Sequence, residues 1–351
     1  MRSLLQRQPP ALLGIDVGTA SIKLVELARS AGGRYTVLHC AQQLLEPGWV
    51  SGAGIERFDE VADALRRLVA TSGTRTRRAA LALPLSAVIQ RRATLPAGLS
   101  EPEMEFQAES EASQYLPFSL DEVALDFCII GPAAGVAGHV EVLIAAARRE
   151  MVEDRQGLAE AAGLRPVVIE LESNASALAA QRLIGNLPGP GRDAVVALVD
   201  IGGHAASLQI LHNGEVFHER DQAFSGSQLT RMIMRRYGFS EQEAEHRKRS
   251  ADLPADYGAA VLRPFAENTA QEVRRALQRF FTSTPHHRID HILLAGGCAA
   301  LAGLAQAIAR ATGCAAAVAN PFEGMAMRSA PRERGSSYLT ACGLALRRFA
   351  A

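Results

Sequence analysis

The chain has 351 residues, 48% of them hydrophobic, and its 37 basic and 37 acidic residues give a formal net charge of zero. This length is enough for two domains of ordinary size with a real core. Proteins that wrap DNA or RNA usually carry a basic excess, so we expect no nucleic acid as a partner.

The cysteines and the hydrophobic runs predict a cytoplasmic protein. The five cysteines are far apart and form no C-x-x-C pair, which is typical of reduced thiols. No apolar run approaches the ~20 residues that span a bilayer. The first ten residues lack the apolar stretch of a signal peptide.

The N-terminal half is expected to contain one domain and an inserted unit. Apolar alternation predicts three strands at 12–15, 22–27 and 35–45, and a helical spacing follows at 58–70. A second β-rich unit is then predicted over 79–163, which we interpret as a subdomain inserted into the first domain. Its expected elements are strands at 79–83, 88–95, 123–130 and 139–146 and helices at 101–115 and 150–162.

A strand at 165–170 and a helix at 173–184 lead to a boundary rich in Pro and Gly at 185–192. The second domain is expected to open with a hairpin over 195–211. The later predicted elements are a strand at 215–220, helices at 228–237 and from 240 onward, a helix at 255–281 kinked by Pro264, a strand at 290–294, a helix ending at 311 and a last helix at 338–349.

The first hairpin carries residues suited to a phosphate. Gly18 and Thr19 form a tight turn whose successive N–H groups can cradle an anion, with Ser21 beside them. Lys23 follows on the outgoing strand, where its ammonium could reach phosphate oxygens. Asp16 would hold Mg²⁺ through water, because Mg²⁺ sheds its hydration shell reluctantly. Taken alone, this segment fits an ordinary hairpin equally well.

The second hairpin repeats the design, with Asp200 before Gly202 and Gly203 and with Ser207 on the outgoing strand. Two chance hairpins of this form in one chain are improbable, so the repeat strengthens the nucleotide hypothesis. Asp200 is the second residue expected to hold Mg²⁺ through water.

Three further glycines are placed to complete a pocket. Gly296 and Gly297, followed by Cys298, come after a buried strand and before a predicted helix, whose N-terminus would offer free N–H groups. Gly226 precedes the predicted helix at 228–237.

At this point the chain resembles the actin-like ATPase superfamily, which includes DnaK-type chaperones, sugar kinases, MreB and FtsA. The resemblance implies an α/β fold with two nucleotide-binding domains, a duplicated β-meander with helices, and an FtsA-type inserted subdomain. It also implies ATP or ADP as ligand, with Mg²⁺.

The resemblance assigns roles to three more residues. Glu172 matches a glutamate at the domain junction and could orient an attacking water, although a helix N-terminal carboxylate that favours the dipole explains it too. Glu245 and Lys248 match a pair beside the adenine and ribose. The alternative for that pair is a solvated i,i+3 ion pair.

Within the superfamily, the chain is most similar to the PilM family. The similar segments are 114–123, 126–127, 228–230, 237–245 and 294–304. The resemblance implies a cytoplasmic ATP-binding scaffold of type IV pilus biogenesis. This scaffold would hold the short N-terminal cytoplasmic tail of PilN and meet other pilus inner-membrane and motor proteins. Membrane contact would then be indirect, and self-association stays open.

The second hairpin departs from active relatives, because His204 replaces a small residue and Ala205 and Ala206 replace hydroxyls, which Ser207 restores in part. We therefore expect nucleotide binding with slow or no hydrolysis. The alternatives are a polymerising protein like FtsA or MreB and, less favoured, a small-molecule kinase.

The expected organisation has seven segments. They are 10–78 (domain 1, first part), 79–163 (insert), 164–190 (domain 1 with the connecting helix), 191–225 (domain 2, first part), 226–288 (helical subdomain), 289–330 (adenosine-motif part) and 331–351 (a C-terminal helix returning to domain 1).

Overall fold

The computed structural model describes residues 9–52, 54–189, 193–284, 286–331 and 335–350. Within those ranges, none of the helices has the length and apolar character that a bilayer span requires. The strands are β1 (Leu13–Val17), β2 (Ser21–Arg29), β3 (Tyr35–Leu44), β4 (Val50–Ser51), β5 (Gly54–Ile55), β6 (Arg78–Leu83), β7 (Val88–Pro96), β8 (Val123–Pro132), β9 (His139–Arg148), β10 (Arg165–Leu171), β11 (Val195–Ile201), β12 (Ala206–His212), β13 (Glu215–Gln222), β14 (His291–Ala295), β15 (Ala315–Val318) and β16 (Ala326–Met327).

The helices cover the sheet faces and connect the strands. They are α1 (Phe58–Ser72), α2 (Glu101–Ser113), α3 (Arg149–Ala161), α4 (Glu172–Ile184), α5 (Gly226–Tyr237), α6 (Glu241–Ser250), α7 (Arg263–Ser283), α8 (Leu304–Thr312) and α9 (Leu339–Leu346). The expected helix at 255–281 is a π turn, Gly258–Leu262, that runs into α7. Pro264 lies in the first turn of α7, where its missing N–H costs little.

The two main sheets repeat one topology. The first has the order β10-β6-β1-β2-β3-β16 and the second has the order β13-β12-β11-β14-β15. In each, an antiparallel hairpin is extended by a third meander strand on one side and by two parallel strands on the other. The duplicated meander that the sequence predicts is therefore present.

The inserted unit is narrower than the expected 79–163. The separate three-stranded sheet has the order β7-β9-β8 and packs against α2. Strand β6 instead pairs with β1 and β10 in the first sheet. Helix α3 packs on the same side as α1, with Leu158 and Ala159 in the core of the first domain. Strand β6 and helix α3 both place apolar residues in the core of the first domain. The sequence pattern of each element alone could not show which sheet it joins.

The predicted return of the chain end to the first domain also begins earlier than 331. Strand β16 pairs in parallel with β3 of the first sheet, although the sequence placed its residues in the second domain.

Helix α9 packs against the connecting helix α4 and against β1 with no space for side chains between the backbones. A Cβ atom on Gly343 would overlap the carbonyl oxygen of Ala175 on α4. A Cβ on Gly14 of β1 would overlap the carbonyl oxygen of Ala341 on α9. These glycines allow α9 to join the first sheet and the connecting helix in one buried layer.

Candidate functional site

The first hairpin turn positions a lysine beside a carboxylate. Asp16 on β1 lies opposite Lys23 on β2 in the ladder, and Lys23 Nζ donates to Asp16 Oδ2 at 3.0 Å. The turn is closed by the Gly18 N–H, which donates to the Ser21 carbonyl at 3.1 Å. The Lys23 and Asp16 side chains are 12% and 14% exposed, so this ion pair is largely shielded from water.

The turn of the second hairpin touches the turn of the first. The Gly202 N–H donates to the Ala205 carbonyl at 2.9 Å and closes the second turn. A Cβ atom on Gly203 would lie 3.0 Å from Thr19 Oγ1 and 3.4 Å from Ala20 Cβ. The two turns thus lie against each other, which brings the candidate phosphate-binding segments of the two hairpins together.

The start of α5 is bonded to the second turn. The N–H groups of Gly226 and Ser227 donate to the carbonyls of Gly202 and Gly203 at 2.9 and 2.7 Å. A Cβ on Gly226 would lie 2.8 Å from Cys298 Sγ, so the segment after β14 closes onto the same point. Gly226 is therefore a packing glycine that lets three segments converge.

The segment after β14, which holds Gly296, Gly297 and Cys298, also contacts the second hairpin. Gly296 has a φ of +86°, and a Cβ there would lie 2.5 Å from Asp200 Oδ1. The Cys298 N–H donates to the Ile201 carbonyl at 3.3 Å. A Cβ atom added to Gly297 would have no other atom within 4 Å. Gly296 thus allows the chain to turn directly over the Asp200 carboxylate.

The expectation of a helix N-terminus at Gly297 is wrong. Turns occupy 297–303, and α8 begins only at Leu304. Gly303, with a left-handed φ of +80°, directly precedes α8. Any phosphate contact in this segment must therefore come from the turn itself.

The Glu245–Lys248 pair on α6 lies near Cys298, in the segment after β14. Lys248 Nζ donates to Thr230 Oγ1 at 2.7 Å and pairs with the Glu245 carboxylate, which also accepts from Thr230. Burial raises the pKa of the Cys298 thiol to about 11, and the charges of Lys248 and Glu245 act on that thiol as well. The pair is not a fully solvated ion pair, because its side chains are only 18–19% exposed.

The central carboxylates resist ionisation. Burial, and then the charges of Asp16 and Asp200, raise the pKa of Glu172 to about 8, although Lys23 opposes the shift. Burial and the charge of Asp16 raise the pKa of Asp200 to about 6, again against Lys23. Burial lowers the pKa of Lys23, but the carboxylates outweigh it and the net shift is upward. The pocket therefore has an excess of acidic groups.

The donor set suits a hydrated cation better than direct coordination. Within the residues that the structure describes, no group of three or more His, Cys, Asp or Glu side chains is arranged to hold a metal ion directly. Asp16 and Asp200 nevertheless lie close enough for the charge of one to raise the pKa of the other. Mg²⁺ keeps several waters and needs only one or two protein carboxylates, so these residues fit a water-mediated site.

Two neighbours of the site were missed from the sequence. Asp221 on β13 lies opposite Ser207 in the ladder, and its charge raises the pKa of Glu172. Arg155 on α3 is 2% exposed, donates to the Ala82 carbonyl at 3.4 Å, and has Glu172 and Asp16 among the charges that act on it. The β12–β13 register could have indicated Asp221, but nothing local indicated Arg155.

Two of the three departures in the second hairpin, His204 and Ala205, face solvent. His204 and Ala205 are exposed, whereas Ala206 is buried at the start of β12. Ser207 lies opposite Asp200 in the ladder and is the hydroxyl nearest to it along this hairpin.

Comparison with known protein families decides the identity of the chain. The family model described as type IV pilus assembly protein PilM matches residues 14–349. The chain belongs to the PilM family. This match includes both hairpins, the insert and the helix α9, so family membership concerns the whole architecture.

Solved structures support the same assignment. The PilM-family chain matches a structure titled "PilM-PilN type IV pilus biogenesis complex" with a TM-score of 0.80 and 29% identity, over 97% of this chain and 99% of that one. Ethanolamine utilization protein EutJ from Carboxydothermus hydrogenoformans matches with a TM-score of 0.59 and 19% identity, over 96% and 90%. MreB5 of Spiroplasma citri bound to ADP matches with a TM-score of 0.51 and 14% identity, over 95% and 94%. The actin-like two-domain fold is thereby confirmed.

Proposed function

We propose that this protein is an ATP-binding scaffold of type IV pilus biogenesis that holds the N-terminal cytoplasmic tail of PilN. Family membership supports the pilus role. The solved complex named above pairs a similar chain with PilN, and the similarity extends over nearly all of both chains. The partner would place this protein at the cytoplasmic side of the inner membrane through PilN, without its own membrane contact.

The contact between the two glycine turns is the observation that carries nucleotide binding. A Cβ atom on Gly203 would lie 3.0 Å from Thr19 Oγ1, so the two glycine turns are in contact. Lys23 and Asp16 lie on the first hairpin and Asp200 lies on the second. An ammonium for phosphate and carboxylates for hydrated Mg²⁺ are the groups that Mg-ATP needs.

In this proposal the residues divide into three roles. Phosphates contact the two turns and Lys23, while the adenosine lies toward α6 and the segment after β14. Asp16 and Asp200 would hold Mg²⁺ through water, and the ion would supply positive charge to offset the phosphates. The candidate nucleotide-contacting residues are Asp16, Gly18, Thr19, Ser21, Lys23, Asp200, Gly202, Gly203, Ser207, Gly226, Glu245, Lys248, Gly296, Gly297 and Cys298.

Hydrolysis is proposed to be slow. Burial and the charges of Asp16 and Asp200 raise the pKa of Glu172, the candidate for orienting water, to about 8 without a bound cation. The slow hydrolysis is therefore inferred from the second turn. The alanines of the second turn add no hydroxyl groups, and the site is better suited to holding a nucleotide than to hydrolysing it.

A binding experiment tests the scaffold role. A synthetic peptide with the sequence of the PilN N-terminal tail encoded by the same genome is titrated into the full chain, with and without Mg-ATP. We expect saturable binding of the tail at one site and no binding of a scrambled peptide. Equal, weak signals from both peptides would contradict the scaffold role.

A further inference from the structure

Ser336 binds both polar groups of the Gly296 backbone. The Gly296 N–H donates to the Ser336 carbonyl at 3.1 Å, and Ser336 Oγ donates to the Gly296 carbonyl at 3.2 Å. Both residues are buried, and Ser336 is only 2% exposed. Because buried hydrogen bonds are costly to break, this reciprocal pair fixes the turn after β14 at one point.

The opposite side of the same turn lies against Asp200. The φ of Gly296 is +86°, and a Cβ atom there would lie 2.5 Å from Asp200 Oδ1 and 2.5 Å from the Ile201 carbonyl oxygen. The next residue, Gly297, is exposed. The turn is thus held on its buried side by Ser336, while Gly297 remains accessible to a ligand.

Ser336 belongs to the helical turn Gly335–Tyr338, which continues directly into α9. The start of this turn lies against the segment after β15, because a Cβ atom on its first residue would overlap Asn320 Oδ1. Its end is also packed, since the ring centroids of Tyr338 and Phe322 are 5.7 Å apart. Ser336 therefore cannot shift without moving the whole turn.

The pair formed by Ser336 and Gly296 connects the two domains. Helix α9 packs directly on β1 at Gly14 and on α4 at Gly343, so the turn before it is fixed to the first domain. Gly296, in contrast, directly follows β14 of the second sheet. A displacement of α9 relative to the second sheet would therefore act, through Ser336, on the turn that lies over Asp200.

We propose that Ser336 is a positioning residue of the nucleotide site, which holds the Gly296 turn over Asp200 and links its position to α9. The Ser336 hydroxyl fixes Gly297 relative to the Asp200 carboxylate, and a nucleotide that contacts Gly297 then resists any shift of the turn. Nucleotide binding and the packing of α9 therefore bias the same contact, which is the physical requirement for coupling between two sites.

This inference rests on the proposed function, because it takes Mg-ATP as the ligand that contacts Gly297. The hydrogen bonds between Ser336 and Gly296, however, are present without nucleotide. The test therefore has a ligand-free arm and a Mg-ATP arm, so that failure of nucleotide binding and failure of the positioning role can be told apart.

Two variants of the full chain test this role. Ser336→Ala removes the hydroxyl and keeps the backbone carbonyl that accepts from Gly296, whereas Ser336→Thr keeps a hydroxyl at the same position. Ser113→Ala is the matched control, because the Ser113 hydroxyl also donates to a backbone carbonyl, that of Ser110 at 2.7 Å, but lies at the end of α2. Hydrogen–deuterium exchange is followed on peptides that cover 295–303 and 339–346, and calorimetric titration measures the affinity for Mg-ATP.

In the ligand-free arm, we expect Ser336→Ala to speed exchange in the 295–303 peptide by roughly tenfold, the effect of one lost buried hydrogen bond. Ser336→Thr should restore most of the protection, and Ser113→Ala should match the wild type. The 339–346 peptide should change by less than about twofold, because the contacts of α9 with β1 and α4 remain. Exchange of 295–303 in Ser336→Ala equal to that of the wild type would overturn the proposal, whatever the nucleotide does.

In the Mg-ATP arm, saturating nucleotide should slow exchange of both peptides in the wild type. In Ser336→Ala we expect the affinity for Mg-ATP to fall by roughly fivefold and the slowing of 339–346 to be lost, whereas a purely structural role would leave that slowing intact. Equal slowing of 339–346 in Ser336→Ala and the wild type would overturn the link to α9. If the wild type binds no Mg-ATP, the proposed function fails and the link to nucleotide fails with it, while the ligand-free arm still decides whether Ser336 fixes the turn.

Discussion

Lys23 Nζ lies 3.0 Å from Asp16 Oδ2, and the charges of Asp200 and Glu172 act on the same ammonium. In the absence of ligand, this lysine is thus a counter-ion for carboxylates from both hairpins and from the connecting helix. The Lys23 ammonium does not fully offset the burial of the Glu172 and Asp200 carboxylates, because their pKa values remain raised. A cation that binds together with a nucleotide would lower these pKa values, so ligand binding and protonation are linked at this site.

The raised pKa of Glu172 predicts a pH-dependent gain in stability from Glu172→Gln. A free glutamate ionises near pH ~4.3, whereas Glu172 in the folded chain ionises near pH 8. Between these values the folded state binds more protons than the unfolded state, so stability falls as the pH rises. The neutral glutamine escapes this loss. We expect thermal unfolding at pH 8 to shift upward by roughly 3 °C or more, and by nearly nothing at pH 4.5.

Glu215→Gln provides the control for that comparison, since this exposed residue should show no pH-dependent difference from the wild type. Differential scanning fluorimetry without nucleotide, at pH values from 4.5 to 8.5, is sufficient. A stability difference between Glu172→Gln and the wild type that stays constant across this range would contradict the assignment of the raised pKa.

The contact between the two turns predicts that Gly203→Ala weakens Mg-ATP binding. The new methyl group would lie 3.0 Å from Thr19 Oγ1 and would push the two turns apart by a few tenths of an ångström. We expect a dissociation constant at least about fivefold higher, because phosphate binding depends on the placement of both turns. Gly258→Ala, where a Cβ would meet no atom within 4 Å, should leave the affinity unchanged. Unaltered affinity in Gly203→Ala would show that the turns do not clamp the ligand together.

The packing of α9 predicts a large loss of stability from Gly343→Ala. The added methyl group would overlap the Ala175 carbonyl oxygen, so α9 must move away from α4. Overpacking of a core costs about 1–3 kcal/mol, and here backbone opposes backbone, so we expect the upper end of that range or more. Chemical denaturation measures the free energy of unfolding, with Gly258→Ala as the control. A loss below about 0.5 kcal/mol would contradict this packing.

Much of the architecture follows from local sequence. Both hairpins could be predicted because an apolar run, an aspartate and a glycine turn occur together. The repeat of this pattern indicates that the two hairpins are equivalent elements of a duplicated fold. The start of α6 can also be predicted, because Ser240 and Glu243 fit the Ser-x-x-Glu pattern of a helix N-terminus, and the Ser240 side chain accepts from the Glu243 N–H. Strong periodicity and turn chemistry were sufficient for these elements.

Long-range pairing could not be predicted in the same way. Strand β6 reads as a short apolar run, and only its parallel pairing with β1 and β10 assigns it to the first sheet. The glycines at 296–297 suggested a helix start, but the pattern could not show that Gly296 is needed for its close approach to Asp200. The position of Arg155 beside the site could not be predicted, because it depends on packing against residues that are far away in the sequence.

Calorimetric titration of Mg-ATP into the wild type and Lys23→Met tests the nucleotide clamp most directly. Arg67→Met, which removes an exposed cation on α1, is the matched control. Loss of a charged contact to phosphate is expected to weaken binding by roughly tenfold to a hundredfold in Lys23→Met, with no change in Arg67→Met. Equal Mg-ATP affinity in the wild type and Lys23→Met, or no binding by the wild type, would contradict the account.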